Sequence, residues 1–203
     1  MHIPDGFLDT KTLAITNGVA LGALYLAARR MNAAVSPSRI PLMGVLAAFA
    51  FTAQLLAFPV IGGTSTHIAG SVLLAVILGP YTAMLLLAAI VLLQALLFQH
   101  GGVLTFGANF LNIGIIGSWL GYLVYRLKRS HPMAGVAAFI TVLLGGLAAA
   151  LELAFSGRVP LQPALVGMGI AQIITGVIEG FVTVSILKVI SAVRPDLLKL
   201  ETV

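Results

Sequence analysis

Seven apolar stretches, each parted from the next by a short polar or glycine- and proline-bearing segment, organise the chain. They run near Thr12–Ala28, Pro41–Val60, His67–Gly79, Tyr81–Phe98, Phe110–Tyr125, Met133–Phe155 and Pro163–Ile190. Most approach the roughly 20 residues that a bilayer crossing requires. Unbroken apolar runs, rather than an amphipathic period, predict an all-α integral membrane protein of about seven transmembrane helices. The third run is short, and Gly79-Pro80 predicts a tight turn between it and the fourth. Asn109 is a candidate cap for the fifth. The pattern reads as one transmembrane domain over 1–203: an N-terminal segment 1–11, a helical bundle 12–193 and a tail 194–203.

Composition agrees with the pattern. Of 203 residues 60% are apolar and only 8% are charged, against about 25% charged in a soluble domain. Cysteine is absent, which excludes disulfides, thiolate metal sites and thiol catalysis. The first eleven residues do not read as a removable signal peptide, because Pro4, Asp5, Gly6 and Asp9 precede any long apolar run.

The basic residues orient the bundle. Arg29, Arg30 and Arg39 follow the first span, Arg126, Lys128 and Arg129 the fifth, and Lys188, Arg194 and Lys199 lie at or after the end of the seventh. With the N-terminus outside and the C-terminus cytoplasmic, all of these fall inside, and only Lys11 and Arg158 remain outside. The net charge of +5 is then an inner collar and calls for no nucleic-acid partner. The same topology puts His2, the segment before His67 and the Gln99-His100-Gly101-Gly102 loop on one outer face, with His131 alone on the other.

That gathering gives the opening Met1-His2 a chemical meaning. The Met1 amine, the His2 amide nitrogen and the His2 ring Nδ1 can close two fused chelate rings on one ion, leaving a fourth corner open. A square of nitrogens suits Ni(II) or Cu(II) far better than Mg or Ca. A bulky His2 disfavours removal of Met1, so the amine is expected to persist. Lone loop histidines are more often structural than functional. Here the N-terminal segment carries Ile3, Phe7 and Leu8 to tuck into the bundle, and Gly62-Gly63-Thr64-Ser65-Thr66-His67 is small enough for another segment to approach. Thr105, Asn109 and Asn112 read either as a shell that fixes the imidazole tautomers or as helix caps, and His100 is not assigned as a ligand.

Other motifs say less. Glu152 and Glu179 lie within spans, where carboxylates are functional candidates. Glu152, near the outer end, reads as structural, and Glu179 is expected either protonated or paired with a polar side chain. Small-residue steps such as Gly18-xxx-Gly22, Gly117-xxx-Gly121 and Gly176-xxx-Gly180 allow close helix approach. No GxxxxGK[ST] phosphate loop occurs, nor an HExxH pair or nucleophile elbow. A self-sufficient secondary transporter or channel, coupled through Glu152 or Glu179, is the alternative reading, but no half-length repeats support it.

Met1-His2-Ile3-Pro4-Asp5-Gly6-Phe7, the GGTSTH stretch ending at His67, and the QHGG and GAN segments together resemble the CbiM/NikM family. These are substrate-binding membrane subunits of energy-coupling factor transporters for cobalt and nickel. The resemblance runs from Met1 through the last span. It implies a seven-helix bundle with the N-terminus threaded into its external side, and a square-planar nitrogen site on Met1, His2 and His67. It also implies partners: a transmembrane coupling subunit, cytoplasmic ATPase subunits and often a small accessory membrane protein. The chain is then no enzyme, and Ni(II) or Co(II) is a transported substrate rather than a cofactor, taken up across a prokaryotic cell membrane. Pro4-Asp5 is closer to the nickel branch than to the cobalt branch, where Met-Glu is commoner.

Overall fold

The computed structural model describes residues 2–31, 39–60 and 64–199. Seven helices stand where seven apolar runs predict them: α1 Thr10–Met31, α2 Ile40–Leu55, α3 Ser71–Leu78, α4 Pro80–Phe98, α5 Phe106–Arg126, α6 His131–Phe155 and α7 Leu161–Val193. A short 3₁₀ turn, Pro195–Lys199, follows. Five of the seven are long and apolar enough to cross a membrane; α2 is apolar but has 16 residues, and α3 has eight.

Local chemistry sets the helix ends. Asp9 precedes α1 and accepts the Thr12 amide at 2.9 Å, which satisfies a donor the first turn leaves free. The hydrogen bonds from Thr12 hold its carboxyl below the usual carboxylate range. Proline opens α4 and α6 within the first turn, where its missing N–H costs nothing. Ser130 caps α6 by accepting the Met133 amide. Gly79, at φ 82, ends α3, and Pro80 starts α4 directly, the predicted tight turn.

Consecutive helices run in opposite directions. Arg30, near the end of α1, lies over the Tyr81 ring at the start of α4, 5.9 Å from its centre. Ser156, just past α6, reaches Asp9 and Thr12 at the start of α1. His131 bonds Ser191 near the end of α7 at 2.7 Å. The basic ends of α1, α5 and α7 therefore share one end of the bundle with His131.

The helix α3 forms the centre. Every residue from Ser71 to Ile77 is buried, as expected of a helix apolar all round. It packs closely on α5, where a side chain at Gly117 would collide with Ser71 and one at Gly121 with Val72. Gly176 and Gly180 of α7 give the same closeness to Phe139 and Gly135 of α6. A Cβ at Gly18 or Gly22 would meet no other segment within 4 Å among the described residues, on a face of α1 where Ile15, Leu21 and Tyr25 stand exposed. Across its middle, Leu111–Leu120, α5 widens into a π-helix.

Two expectations differ from the fold. The second run was expected helical to Val60 and the third from His67. Instead the chain leaves α2 after Leu55, forms an antiparallel ribbon of Phe58–Val60 with Thr64–Thr66, and regains helix only at Ser71. Pro59 lacks the amide that a helix needs, and Gly70, at φ 70, begins α3. The expected cap Asn109 lies inside α5, which starts at Phe106.

Candidate metal centre

The N-terminal segment plugs into the end of the bundle opposite the basic collar. Ile3 and Leu8 are buried beside Ala108 and Ala149. The Ile3 backbone is held on both sides: its N–H donates to Asn109 Oδ1 at 2.6 Å. Its carbonyl accepts from the Gly102 amide, Thr105 Oγ1 and Asn109 Nδ2, at 3.0, 2.6 and 3.0 Å.

Two residues on, Asp5 grips the start of α5. Its carboxylate accepts the amides of Val103, Leu104 and Thr105 at 3.1, 2.9 and 3.1 Å. Asn17 of α1 accepts the Gly107 amide at 3.0 Å and donates to the Leu104 carbonyl at 2.9 Å. The turn amides that lead into α5, and the first-turn amide of Gly107, are thus capped by residues 90 to 100 positions away, where a carboxylate also complements the helix dipole. A Cβ at Gly102 would overlap the Asp5 carboxylate, so that glycine is a condition of the grip. At Gly101, with φ 86, a Cβ would sit 3.1 Å from His2 Nδ1 and 2.9 Å from Asn109 Nδ2.

This docking brings three imidazoles together. The His2 ring centre lies 4.8 Å from that of His67 and 4.2 Å from that of His100, and His67 and His100 are 5.7 Å apart. One ligating nitrogen from each lies within 4.8 Å of the others. Both His2 ring nitrogens, His67 Nε2 and His100 Nε2 are buried and have no hydrogen-bond partner among the described residues. Buried polar atoms are normally satisfied, so a cluster of free imidazole nitrogens is a binding site in form.

The rings suit a cation. Burial, reinforced by the neighbouring His67, holds the His2 imidazole well below the usual histidine range, and burial lowers His100 in the same sense. Both therefore keep the neutral form that binds metal. His67 Nδ1 lies 3.3 Å from the Ile68 carbonyl. A carbonyl only accepts, so Nδ1 carries the proton and the Nε2 lone pair is left free, the usual device for orienting a ligating histidine.

Below His67 the loop is anchored to α7. Both Glu179 oxygens accept backbone amides, from Ala69 and Gly70, each at 2.7 Å. Thr175 Oγ1 gives its proton to the Ala171 carbonyl and accepts from Thr66 Oγ1, each at 2.8 Å, and Gln54 Nε2 donates to the Ala69 carbonyl at 2.8 Å. Glu179 was expected either protonated or paired with a polar side chain; its partners are backbone amides. Glu152 accepts from Asn112 Nδ2 at 2.8 Å.

Of the three expected ligands, His2 and His67 meet; Met1 lies outside the described residues, as do Gly62 and Gly63. Thr105 and Asn109 bind the Ile3 backbone and Asn112 binds Glu152, so none of the three hydrogen-bonds an imidazole. Sequence reasoning placed His100 on the right face but outside the cluster it joins. It also missed Asp5, whose signal was only a turn-like Pro4-Asp5-Gly6.

The sequence profile described as CbiM, cobalt uptake substrate-specific transmembrane region, matches residues 2–197. Among similar proteins, the fused nickel transport protein NikMN of Rhodobacter capsulatus is 31% identical over 98% of this chain and 64% of its own length. The cobalt transport protein CbiM of Sorangium cellulosum is 33% identical over 98% of this chain and 94% of its own. A crystal structure described as a truncated transition metal transporter superposes with a TM-score of 0.88 at 30% identity, covering 95% of this chain and 99% of that one. The chain is thus a multi-pass membrane component of nickel and cobalt transport, and it belongs to the CbiM family.

Proposed function

We propose that the chain is the metal-ion-binding membrane subunit of an ATP-driven energy-coupling importer, capturing Ni(II), or Co(II), on the outer face. The ion is held in a square of nitrogens: the Met1 amine, the His2 amide and ring Nδ1, and His67 Nε2. The observation that carries this reading is the docking of the N-terminal segment so that His2 and His67 present free, buried nitrogens to one point. Ring nitrogens held neutral, with no acidic side chain in the cluster among the described residues, favour a transition metal over Mg or Ca.

The remaining assignments follow from that role. With the N-terminus outside, the basic ends of α1, α5 and α7 face the cytoplasm. ATP hydrolysis belongs to cytoplasmic partner subunits, reached through a transmembrane coupling subunit, and a small accessory membrane protein completes the assembly. The fused architecture named for one relative supports a chain that works joined to other components. Pro4-Asp5 favours nickel over cobalt.

The test compares the chain bearing a free Met1 amine with one carrying a single extra residue before Met1, each titrated with Ni(II) and Co(II). The expected result is a diamagnetic, square-planar nickel chromophore and tight binding in the unextended chain alone. Equal binding by the extended chain refutes the terminal chelate.

A further inference from the structure

Four nitrogens in a plane would leave both axial positions of the ion open, and a third imidazole, His100, stands beside the two that the planar reading uses. We propose that His100 Nε2 is an axial nitrogen donor that tilts the site toward ions accepting five donors, favouring Co(II) relative to Ni(II). This rests on the four-nitrogen reading above and names what modulates its selectivity.

Three observations converge on His100. First, its Nε2 is buried and has no hydrogen-bond partner among the described residues. A capping or loop-bracing histidine would spend that nitrogen on a backbone or side-chain group, since an unpaired buried polar atom is costly. Second, its ring is nearer to His2, 4.2 Å between centres, than His67 is, and the two rings are tilted by 55°. Donors cis to each other on one ion, at about 2.1 Å from it, lie roughly 3 Å apart. The three ligating nitrogens already lie within 4.8 Å, so contraction by less than about 2 Å, the scale of a side-chain rotation, completes the set.

Third, the backbone holds His100 in place at a conformational cost. Gln99 is the one non-glycine residue with positive φ among those described, at 52°. It ends α4 there, and the His100 amide donates back to the Gln94 carbonyl at 3.1 Å. Strained backbone of this kind persists where its surroundings over-determine it, and it clusters at functional sites. The same loop binds the Ile3 carbonyl through Gly102, so His100 and the docked N-terminus are positioned as one unit.

The selectivity follows from d-electron count. Low-spin Ni(II) in a square of nitrogens gains little from an axial donor, whereas Co(II) readily takes a fifth nitrogen; geometry rather than raw affinity then separates the two ions.

The experiment uses the full chain with a free Met1 amine in detergent, alongside His100→Ala and the bulkier His100→Gln. Each is titrated with Ni(II) and with Co(II), and the Co(II) complex is followed by visible absorption and electron paramagnetic resonance. In both variants Co(II) affinity is expected to fall at least tenfold, while Ni(II) affinity stays within about threefold. The Co(II) spectra are expected to lose the five-coordinate signature. Co(II) spectra unchanged in both variants, or equal losses for the two ions, overturn the proposal. His100→Gln fills the loop should His100→Ala unfold it. The extended-terminus chain separates the two readings: it reports on the planar chelate, whereas the Co(II) spectrum of the His100 variants reports on the axial donor.

Discussion

Replacing Asp5 by alanine removes three hydrogen bonds at once, from the Val103, Leu104 and Thr105 amides, without touching a metal donor. The carboxylate acts as a helix cap supplied from a distant segment. Loss of a cap costs about 1 kcal/mol, and loss of a charge at a helix N-terminus about 0.3–1 kcal/mol. Solvent access at Asp5 screens the charge, so the sum is about 1–2 kcal/mol, or roughly 5- to 30-fold in an equilibrium constant. Chelation requires the docked segment, so apparent metal affinity falls by the factor through which the docked fraction falls, at most roughly 5- to 30-fold. Asp5→Asn keeps an Oδ1 for Leu104 and Thr105 and should lose about threefold. Competition against a chelator reads the affinity, and hydrogen exchange reads the three amides directly. Exchange at residues 103–105 as slow in Asp5→Ala as in the parent chain would show that the grip is not what protects them, and the reasoning fails.

Two further substitutions probe the supports of the site. Gly102→Ala drives a Cβ into the Asp5 carboxylate; metal affinity should fall at least as far as in Asp5→Ala, and an affinity within twofold of the parent would contradict the close approach. Glu179→Ala strips both acceptors from the Ala69 and Gly70 amides, at about 1–3 kcal/mol for each buried group left unpaired. A lower thermal midpoint in detergent and weaker metal binding are expected together, with Glu179→Gln, which retains one oxygen, in between. Glu179→Ala indistinguishable from the parent in both measurements would remove the clamp from the account.

The long spans were legible because a run of about 20 apolar residues has few other structures open to it. The region 56–70 was not, since an apolar run reads as helix whether or not it finishes one. Its departure turns on Pro59, which lacks an amide, and on Gly70, whose positive φ postpones α3. At the site, His2 and His67 could be paired from topology alone, since both fell on one face. Asn109 could not be assigned, because a cap and a clamp on a backbone 106 residues away look the same in sequence. Asp5 was hidden for the same reason. His100 was visible as a histidine beside two glycines, but its distance from His2 depends on how Ile3 docks against Gly102 and Asn109.

The helix α7, at 33 residues, is about 50 Å long, whereas the hydrocarbon layer is about 30 Å thick. Even at the steep tilt of about 40° it projects roughly 38 Å along the bilayer normal. Its tips therefore stand clear of the lipid tails. Glu179 grips the His67 loop about 27 Å from one tip, near the middle of the helix. A shift of α7 as a whole would carry with it the Ala69 and Gly70 amides that Glu179 holds.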